Sequence, residues 1–166
     1  MRKQLLRRIF LYCLAAALVL SSVISYGQSN ERDKYHKWLN EDVAYIITPD
    51  EKQRFLELKT DEEREQYVVA FWQRRDPDAD TEENEYRDEH YERVTYANSN
   101  FTFGDMAGWR TDRGRTHILH SEPHEKQNTS SGEIWKYRYI PGVGADIEFE
   151  FIDLSGTGDL RLIRQP

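Results

Sequence analysis

The spacing of apolar side chains changes once along the chain, near residue 98, and this change limits the folds that the chain can adopt. Up to residue 97, apolar side chains recur every three or four positions, which is typical of amphipathic helices. From residue 133 they alternate with polar ones, which is typical of strands with one buried face. The sequence therefore predicts an α+β fold in which N-terminal helices pack on one face of a C-terminal, mainly antiparallel four-stranded sheet.

Three helices are predicted to begin at threonines. Thr48 and Thr60 are each followed three residues later by a glutamate, Glu51 and Glu63, which is the capping-box pattern, and a proline after Thr48 suits the first helical turn. Thr81 is expected to begin the third helix. The second helix is expected to end near residue 74 and the third near residue 97, after an earlier helix over residues 31–39 and an apolar linker or strand over residues 43–47.

Strands are predicted over residues 115–120, 133–140, 145–154 and 160–164. The second strand has aromatic side chains on one face and Lys136 and Arg138 on the other, and the third has Glu148 and Glu150 opposite its apolar face. A hairpin of these two strands would pair opposite charges on the solvated face and stack aromatic side chains beneath. Glycine pairs at 142 and 144 and at 156 and 158 indicate tight turns.

The segment between the two halves, residues 98–109, is rich in glycine and asparagine but carries large apolar side chains. We expect such a loop to pack on the body of the protein. Trp72, Trp109 and Trp135 are expected in the core rather than on a carbohydrate-binding or peptide-binding surface, because they follow helical or strand periodicity.

Residues 1–27 have the pattern of a secretory signal peptide. Four basic residues precede an apolar run over residues 9–24, and small residues before Gln28 predict cleavage between Gly27 and Gln28. An apolar run of 16 residues is short for a membrane span, which needs about 20. The sequence therefore predicts a bacterial protein exported to the periplasm or the medium, with residues 28–166 as a single domain and no membrane span after cleavage.

Composition excludes several classes of protein. Cys13 is the only cysteine and lies within the apolar run, so the cleaved chain has no disulfide, thiolate zinc site or cysteine nucleophile. The 139 residues after the signal peptide hold 30 acidic and 19 basic side chains, which argues against nucleic-acid binding. All four tryptophans and eight of ten tyrosines lie from residue 35 onward, which argues against disorder.

The densest group of informative residues reads Gly-Trp-Arg-Thr-Asp-Arg-Gly-Arg over residues 108–115. This stretch, with Phe71-Trp72, Arg75-Asp76-Pro77, Asn84-Glu85, Arg93 and Tyr96-Ala97 before it and residues 118–123 and 135–137 after it, resembles the GWxTD domain family of exported bacterial proteins. The resemblance covers about residues 35–165 and implies an exported domain with no assigned activity and no transferable catalytic residues. The family usually has a glycine where this chain has Ser121, before a Glu-Pro pair.

The charged residues admit two interpretations. In one, arginines bind an anion or a carboxylate-bearing ligand. The candidate binding residues are Trp109, Arg110, Asp112, Arg113 and Arg115. In the other, which the sequence favours, ion pairs tie helix ends to the central loop, with Asp76 and Asp112 as acceptors. The residues assigned to this structural motif are Trp72, Arg75, Asp76, Arg93, Gly108, Thr111 and Gly114.

The sequence favours a non-enzymatic extracytoplasmic module that binds an envelope protein. The alternative is an envelope hydrolase or lyase with a pocket near residues 112–124, built from Asp112, Arg113, His120 and Glu122. No metal site or cofactor is predicted, because residues 117 and 120 would point to opposite faces of a strand. His120, Glu122 and His124 are the one set that could converge.

Overall fold

The protein is described here by a computed structural model over residues 34–165. The predicted signal peptide, Cys13 and the first residues of the helix predicted over 31–39 lie outside the described residues. The described residues divide into two compact units, one ending at Glu41 and the other beginning at Asp42. Residues 34–37 are helical and continue as a π-helix over Trp38–Asp42. No helix among the described residues has the length and apolar content that crossing a membrane requires.

Four α-helices follow: α1 (Pro49–Glu57), α2 (Asp61–Gln73), α3 (Glu85–Asn100) and α4 (Asp112–His120). The capping boxes predicted at Thr48 and Thr60 are confirmed. Glu51 N–H donates to Thr48 Oγ1 at 3.2 Å, and Glu63 N–H donates to Thr60 Oγ1 at the same distance. Each glutamate in turn accepts from the backbone N–H of its threonine, so both helix starts are fixed by local sequence.

The third helix begins later than predicted. Its cap is Asn84, whose Oδ1 accepts from Arg87 N–H at 2.8 Å, whereas Thr81 Oγ1 donates to the carbonyl of Asp78. Asn84 is buried, and its side-chain amide also donates to the carbonyl of Trp72 at 2.9 Å. A contact to α2 therefore selects Asn84 over Thr81 as the start of α3.

The segment over residues 43–47, predicted as an apolar linker or a strand, is not a strand, and the strand predicted over residues 115–120 is wrong. Residues 43–47 form a turn in which Ile46 and Ile47 donate N–H bonds to the carbonyl of Val43. Residues 115–120 belong to α4, because Thr111 Oγ1 accepts from Gly114 N–H at 3.1 Å and so begins a helix. Buried positions 114, 117 and 118 of α4 follow helical spacing, which a short apolar run does not separate from strand alternation.

The sheet is an antiparallel meander of β1 (Glu125–Asn128), β2 (Gly132–Ile140), β3 (Gly144–Asp153) and β4 (Leu160–Arg164), in that order. The three later predicted strands are confirmed to within one residue at each end. Trp135 lies opposite Phe149, and Lys136 lies opposite Glu148, as the predicted hairpin requires. On the solvated face, however, Glu148 forms its ion pair with Arg164 of β4, at 3.2 Å.

The α+β architecture is confirmed: α3 and α4 pack on one face of the sheet. Their side chains share a core with those of β2 and β3, in which Trp135 and Phe151 are completely buried. Phe101, at the end of α3, packs against Trp135 with ring centroids 5.5 Å apart. The loop predicted to pack on the body therefore does so at its first aromatic residue.

Candidate functional site

The motif turn, defined here as residues 108–114, lies against the end of α3 so closely that two of its positions accept only glycine. A Cβ on Gly108 would lie 1.9 Å from the carbonyl oxygen of Ala97. A Cβ on Gly114 would lie 1.9 Å from the carbonyl oxygen of Gly108. Backbone atoms cannot move aside as flexible side chains do, so the two glycines set how closely the turn, α3 and α4 approach.

Thr111 and Asp112 connect this turn to α4 and to the sheet. Thr111 Oγ1 donates to the carbonyl of Gly108 at 2.8 Å while it caps α4. Asp112 Oδ2 accepts from the backbone N–H of Leu162 at 2.9 Å. Because β4 is an edge strand, it has no further strand beside it to accept its outward-facing N–H groups. The Asp112 carboxylate accepts from one of these groups, the N–H of Leu162.

Trp109 is held from both sides and is partly buried. Its backbone N–H donates to Asn98 Oδ1 at 3.0 Å, and its backbone carbonyl accepts from the Tyr45 hydroxyl at 3.0 Å. The rings of Tyr45 and Trp109 have centroids 5.9 Å apart, and both pack against the core. Burial raises the pKa of Tyr45 above its usual value, so its hydroxyl remains a donor at neutral pH.

The Arg113 side chain has a structural role, because it is bound to Glu133 within the protein. Its Nη1 donates to Glu133 Oε1 at 2.9 Å, and Glu133 Oε2 accepts from Trp135 Nε1 at 2.8 Å. Its guanidinium carbon lies 5.1 Å from the centroid of the Phe101 ring. Arg113 therefore joins α4 to β2 through Glu133, and neither Asp76 nor Asp112 is its acceptor.

Arg110 and Arg115 are exposed and form no ion pair with any residue in the range 34–165. The guanidinium carbon of Arg110 lies 5.8 Å from the Trp109 ring, and that of Arg115 lies 5.4 Å from the Tyr45 ring. Two guanidinium groups without an ion pair among the described residues thus flank a pair of packed aromatic rings, with the Asp112 carboxylate nearby. We call Tyr45, Trp109, Arg110 and Arg115 the basic–aromatic patch.

Arg75 and Asp76, which the sequence assigned to the same structural motif, lie in a different network. Arg75 Nη1 and Nη2 donate to Glu51 Oε1 and Oε2 at 3.0 and 2.7 Å, and its guanidinium carbon lies 3.6 Å from the Phe71 ring. Hydrogen bonds from Arg75 lower the pKa of Glu51 to about 2. Asp76 accepts from Asp78 N–H at 3.2 Å. The ion pair of Arg75 with Glu51 joins α1 to the end of α2.

Trp72 and Arg93 also lie away from the motif turn. Trp72 is buried between α2 and α3, with its ring centroid 5.6 Å from that of His90 and 5.4 Å from that of Tyr91. Arg93 Nε donates to the carbonyl of Glu89 at 3.3 Å. The structure therefore separates the motif residues into a motif turn and an α1–α2–α3 network.

The residues of the hydrolase or lyase alternative do not converge. Asp112 and His120 lie at opposite ends of α4, about 12 Å apart along its axis at 1.5 Å per residue. The His120 ring stacks on Phe149, with centroids 5.3 Å apart, and Glu122 pairs with Lys126 at 2.7 Å. Within residues 34–165 there is no group of three or more histidine, cysteine, aspartate or glutamate side chains that could hold a metal ion.

Sequence reasoning missed three residues of these networks. The sequence placed Tyr45 in an apolar linker or strand, Glu133 at the start of a predicted strand and Glu51 in a capping box. Their partners lie 64, 20 and 24 positions away, so no local spacing indicates these contacts. The one available signal is that Tyr45 lies in an apolar segment. When such a segment is buried, the tyrosine hydroxyl needs a hydrogen-bond partner.

Comparisons with known proteins bear on the whole of this arrangement. No curated protein and no solved structure matches the chain. A family model described as the GWxTD domain matches residues 19–161, a range that includes the motif turn, the α1–α2–α3 network and most of the sheet. The resemblance inferred from residues 108–115 is thereby confirmed, and the chain belongs to the GWxTD domain family.

Proposed function

We propose that this protein is an exported, non-enzymatic interaction module that binds a protein partner in the cell envelope through the basic–aromatic patch. One observation carries the proposal: Arg110 and Arg115 are exposed, unpaired within residues 34–165, and held beside the rings of Trp109 and Tyr45. The other charged groups of the motif turn, Asp112 and Arg113, already have partners.

The composition of the patch suits a binding surface. Tryptophan, tyrosine and arginine are the side chains that dominate the binding free energy of protein interfaces. An arginine beside an aromatic ring is partly positioned in advance, so less side-chain entropy is lost when it binds a carboxylate. On a chain with a net charge of −7, these two guanidinium groups outnumber the one nearby carboxylate, that of Asp112, and so favour acidic partners.

The location of the protein is part of the proposal and rests on the sequence of residues 1–27. Processed protein from the producing bacterium is expected to begin at Gln28 and to be recovered in the periplasmic fraction or the medium. Mass spectrometry of the intact purified chain measures this directly. A chain that retains residues 1–27 would contradict export by cleavage.

The binding site is tested by capture of envelope proteins after chemical cross-linking. We expect wild-type protein to retain a reproducible set of envelope proteins, and the Arg110→Glu, Arg115→Glu double variant to retain at least about tenfold less, because each interface arginine contributes about 1–2 kcal/mol. Arg138→Glu is the matched control, since Arg138 is exposed on the sheet, outside the patch. Equal capture by all three proteins would overturn the proposal, provided that their thermal unfolding midpoints agree.

A further inference from the structure

A second surface, at the opposite end of α3, complements the basic–aromatic patch. A cavity of about 570 Å³ lies between α2 and the start of α3. Its lining includes apolar and acidic side chains, among them Glu65, Val69, Trp72, Asp76 and Glu82. We call it the acidic cavity.

The chemistry of the acidic cavity matches that of the patch. Val69 is 47% exposed in the cavity wall, although it is a large apolar side chain. Asp76 and Glu82 make no ion pair with the residues that the structure describes, and the segment 76–85 holds six carboxylates and no basic residue. Arg87 also lines the cavity; its Nε is paired with Asp88 Oδ1 at 2.8 Å, and the Asp76 carboxylate also attracts its charge. An apolar wall beside carboxylates that outnumber the one arginine of the lining is a surface for a group that is both aromatic and cationic.

The two surfaces cannot meet within one molecule. The acidic cavity adjoins Asn84, which caps α3, and the patch adjoins Asn98, whose side chain accepts from Trp109 N–H. These two asparagines are separated by about 21 Å along the helix axis, at 1.5 Å per residue. Each copy therefore presents an aromatic, cationic end and an apolar, anionic end.

We propose that copies of this chain associate head to tail, with the basic–aromatic patch of one copy in the acidic cavity of the next. This inference rests on the proposed function and names its partner as a second copy of the chain. Carboxylates of the cavity pair with Arg110 and Arg115, while Val69 covers the exposed part of Trp109. Because the two contacting surfaces differ, the interface is heterologous and generates chains or closed rings rather than a two-fold dimer.

The experiment uses sedimentation velocity of the full-length gene product, purified as the bacterium processes it, over a concentration series. Wild-type protein is expected to show a weight-average mass that rises with concentration and falls with added salt. The patch variant, Arg110→Glu with Arg115→Glu, and a cavity variant, Val69→Arg with Glu82→Lys, are each expected to remain monomeric. Neither Val69 nor Glu82 supplies a side-chain hydrogen bond within residues 34–165, so the cavity variant is expected to fold.

A mixture of the two variants gives the decisive result. The patch variant keeps an intact cavity and the cavity variant keeps an intact patch, so an equimolar mixture is expected to associate although neither variant does so alone. Arg138→Glu and Glu92→Lys, which change exposed charges outside both surfaces, are expected to associate like the wild type.

The inference is overturned if wild-type protein stays monomeric at every concentration, if the mixture stays monomeric, or if the variants associate like the wild type. A monomeric wild type that still captures envelope proteins in a patch-dependent manner would leave the proposed function intact and remove self-association alone. Loss of both results would remove both proposals.

Discussion

At the scale of single residues, Ser121 has a strained backbone conformation that residues with a side chain rarely adopt. Ser121 follows α4 with φ 65° and ψ −163°, a region that is populated almost only by glycine. Its amide donates to the carbonyl of His117 and its carbonyl accepts from the Tyr137 hydroxyl, so backbone bonds hold this conformation. Glycine, which the resemblance to the family leads us to expect at this position, fits the same geometry without strain.

We therefore expect Ser121→Gly to stabilise the protein. Relief of strain contributes about 1–3 kcal/mol, and the greater freedom of glycine in the unfolded chain offsets up to about 1 kcal/mol of it. The net gain in the free energy of unfolding, measured by urea denaturation, is expected to be about 1 kcal/mol. Ser130→Gly, at an exposed position without a positive φ, is expected to destabilise by a few tenths to about 1 kcal/mol. A loss of stability in both variants would contradict the account.

At the scale of secondary structure elements, Asp112 joins the start of α4 to the edge of the sheet. Removing its carboxylate leaves the Leu162 N–H of β4 without its acceptor. We expect Asp112→Ala to reduce the free energy of unfolding by about 1–3 kcal/mol and to speed hydrogen exchange at Leu162. Asp112→Asn keeps a side-chain oxygen in the same place, so it is expected to preserve most of this protection. Unchanged exchange at Leu162 in Asp112→Ala would show that β4 does not depend on α4.

The same element shows which parts of the structure are predictable from sequence. The starts of α1 and α2 are predictable because cap and partner lie three residues apart. Thr111 caps α4 with the same spacing but has glycine instead of glutamate at the third helical position, so the capping box is incomplete and the helix was mistaken for a strand. The arginines of the motif are recognisable from the sequence. The carboxylates that bind them, those of Glu51 and Glu133, are brought close only by tertiary packing, which no local pattern encodes.

At the scale of the whole molecule, the stability of the fold is expected to depend on pH in two separate ranges. Burial lowers the pKa of His90, His117 and His120 below the ordinary value of 6.5. The unfolded chain then binds more protons than the folded one as pH falls below about 6.5, so stability decreases in that direction. Urea midpoints measured between pH 7.5 and 5.5 are expected to fall, and a constant midpoint would contradict the buried, neutral state of these histidines.

The lower range depends on Glu51, which ties the start of α1 to the end of α2. Its folded pKa of about 2 is lower than the ordinary value of 4.5, so its contribution is complete above pH 4.5 and is lost as pH falls toward 2. The difference corresponds to roughly 3 kcal/mol. Glu51→Gln can still close the capping box but cannot form the ion pair with Arg75. We therefore expect this variant to be less stable than the wild type by that amount at pH 7 and by less than about 1 kcal/mol near pH 2.5. Glu92→Gln, a carboxylate without an ion pair among residues 34–165, is expected to follow the wild type at both pH values. If Glu51→Gln instead differed from the wild type equally at pH 7 and pH 2.5, the lost stability would come from packing or capping and not from the charge on Glu51.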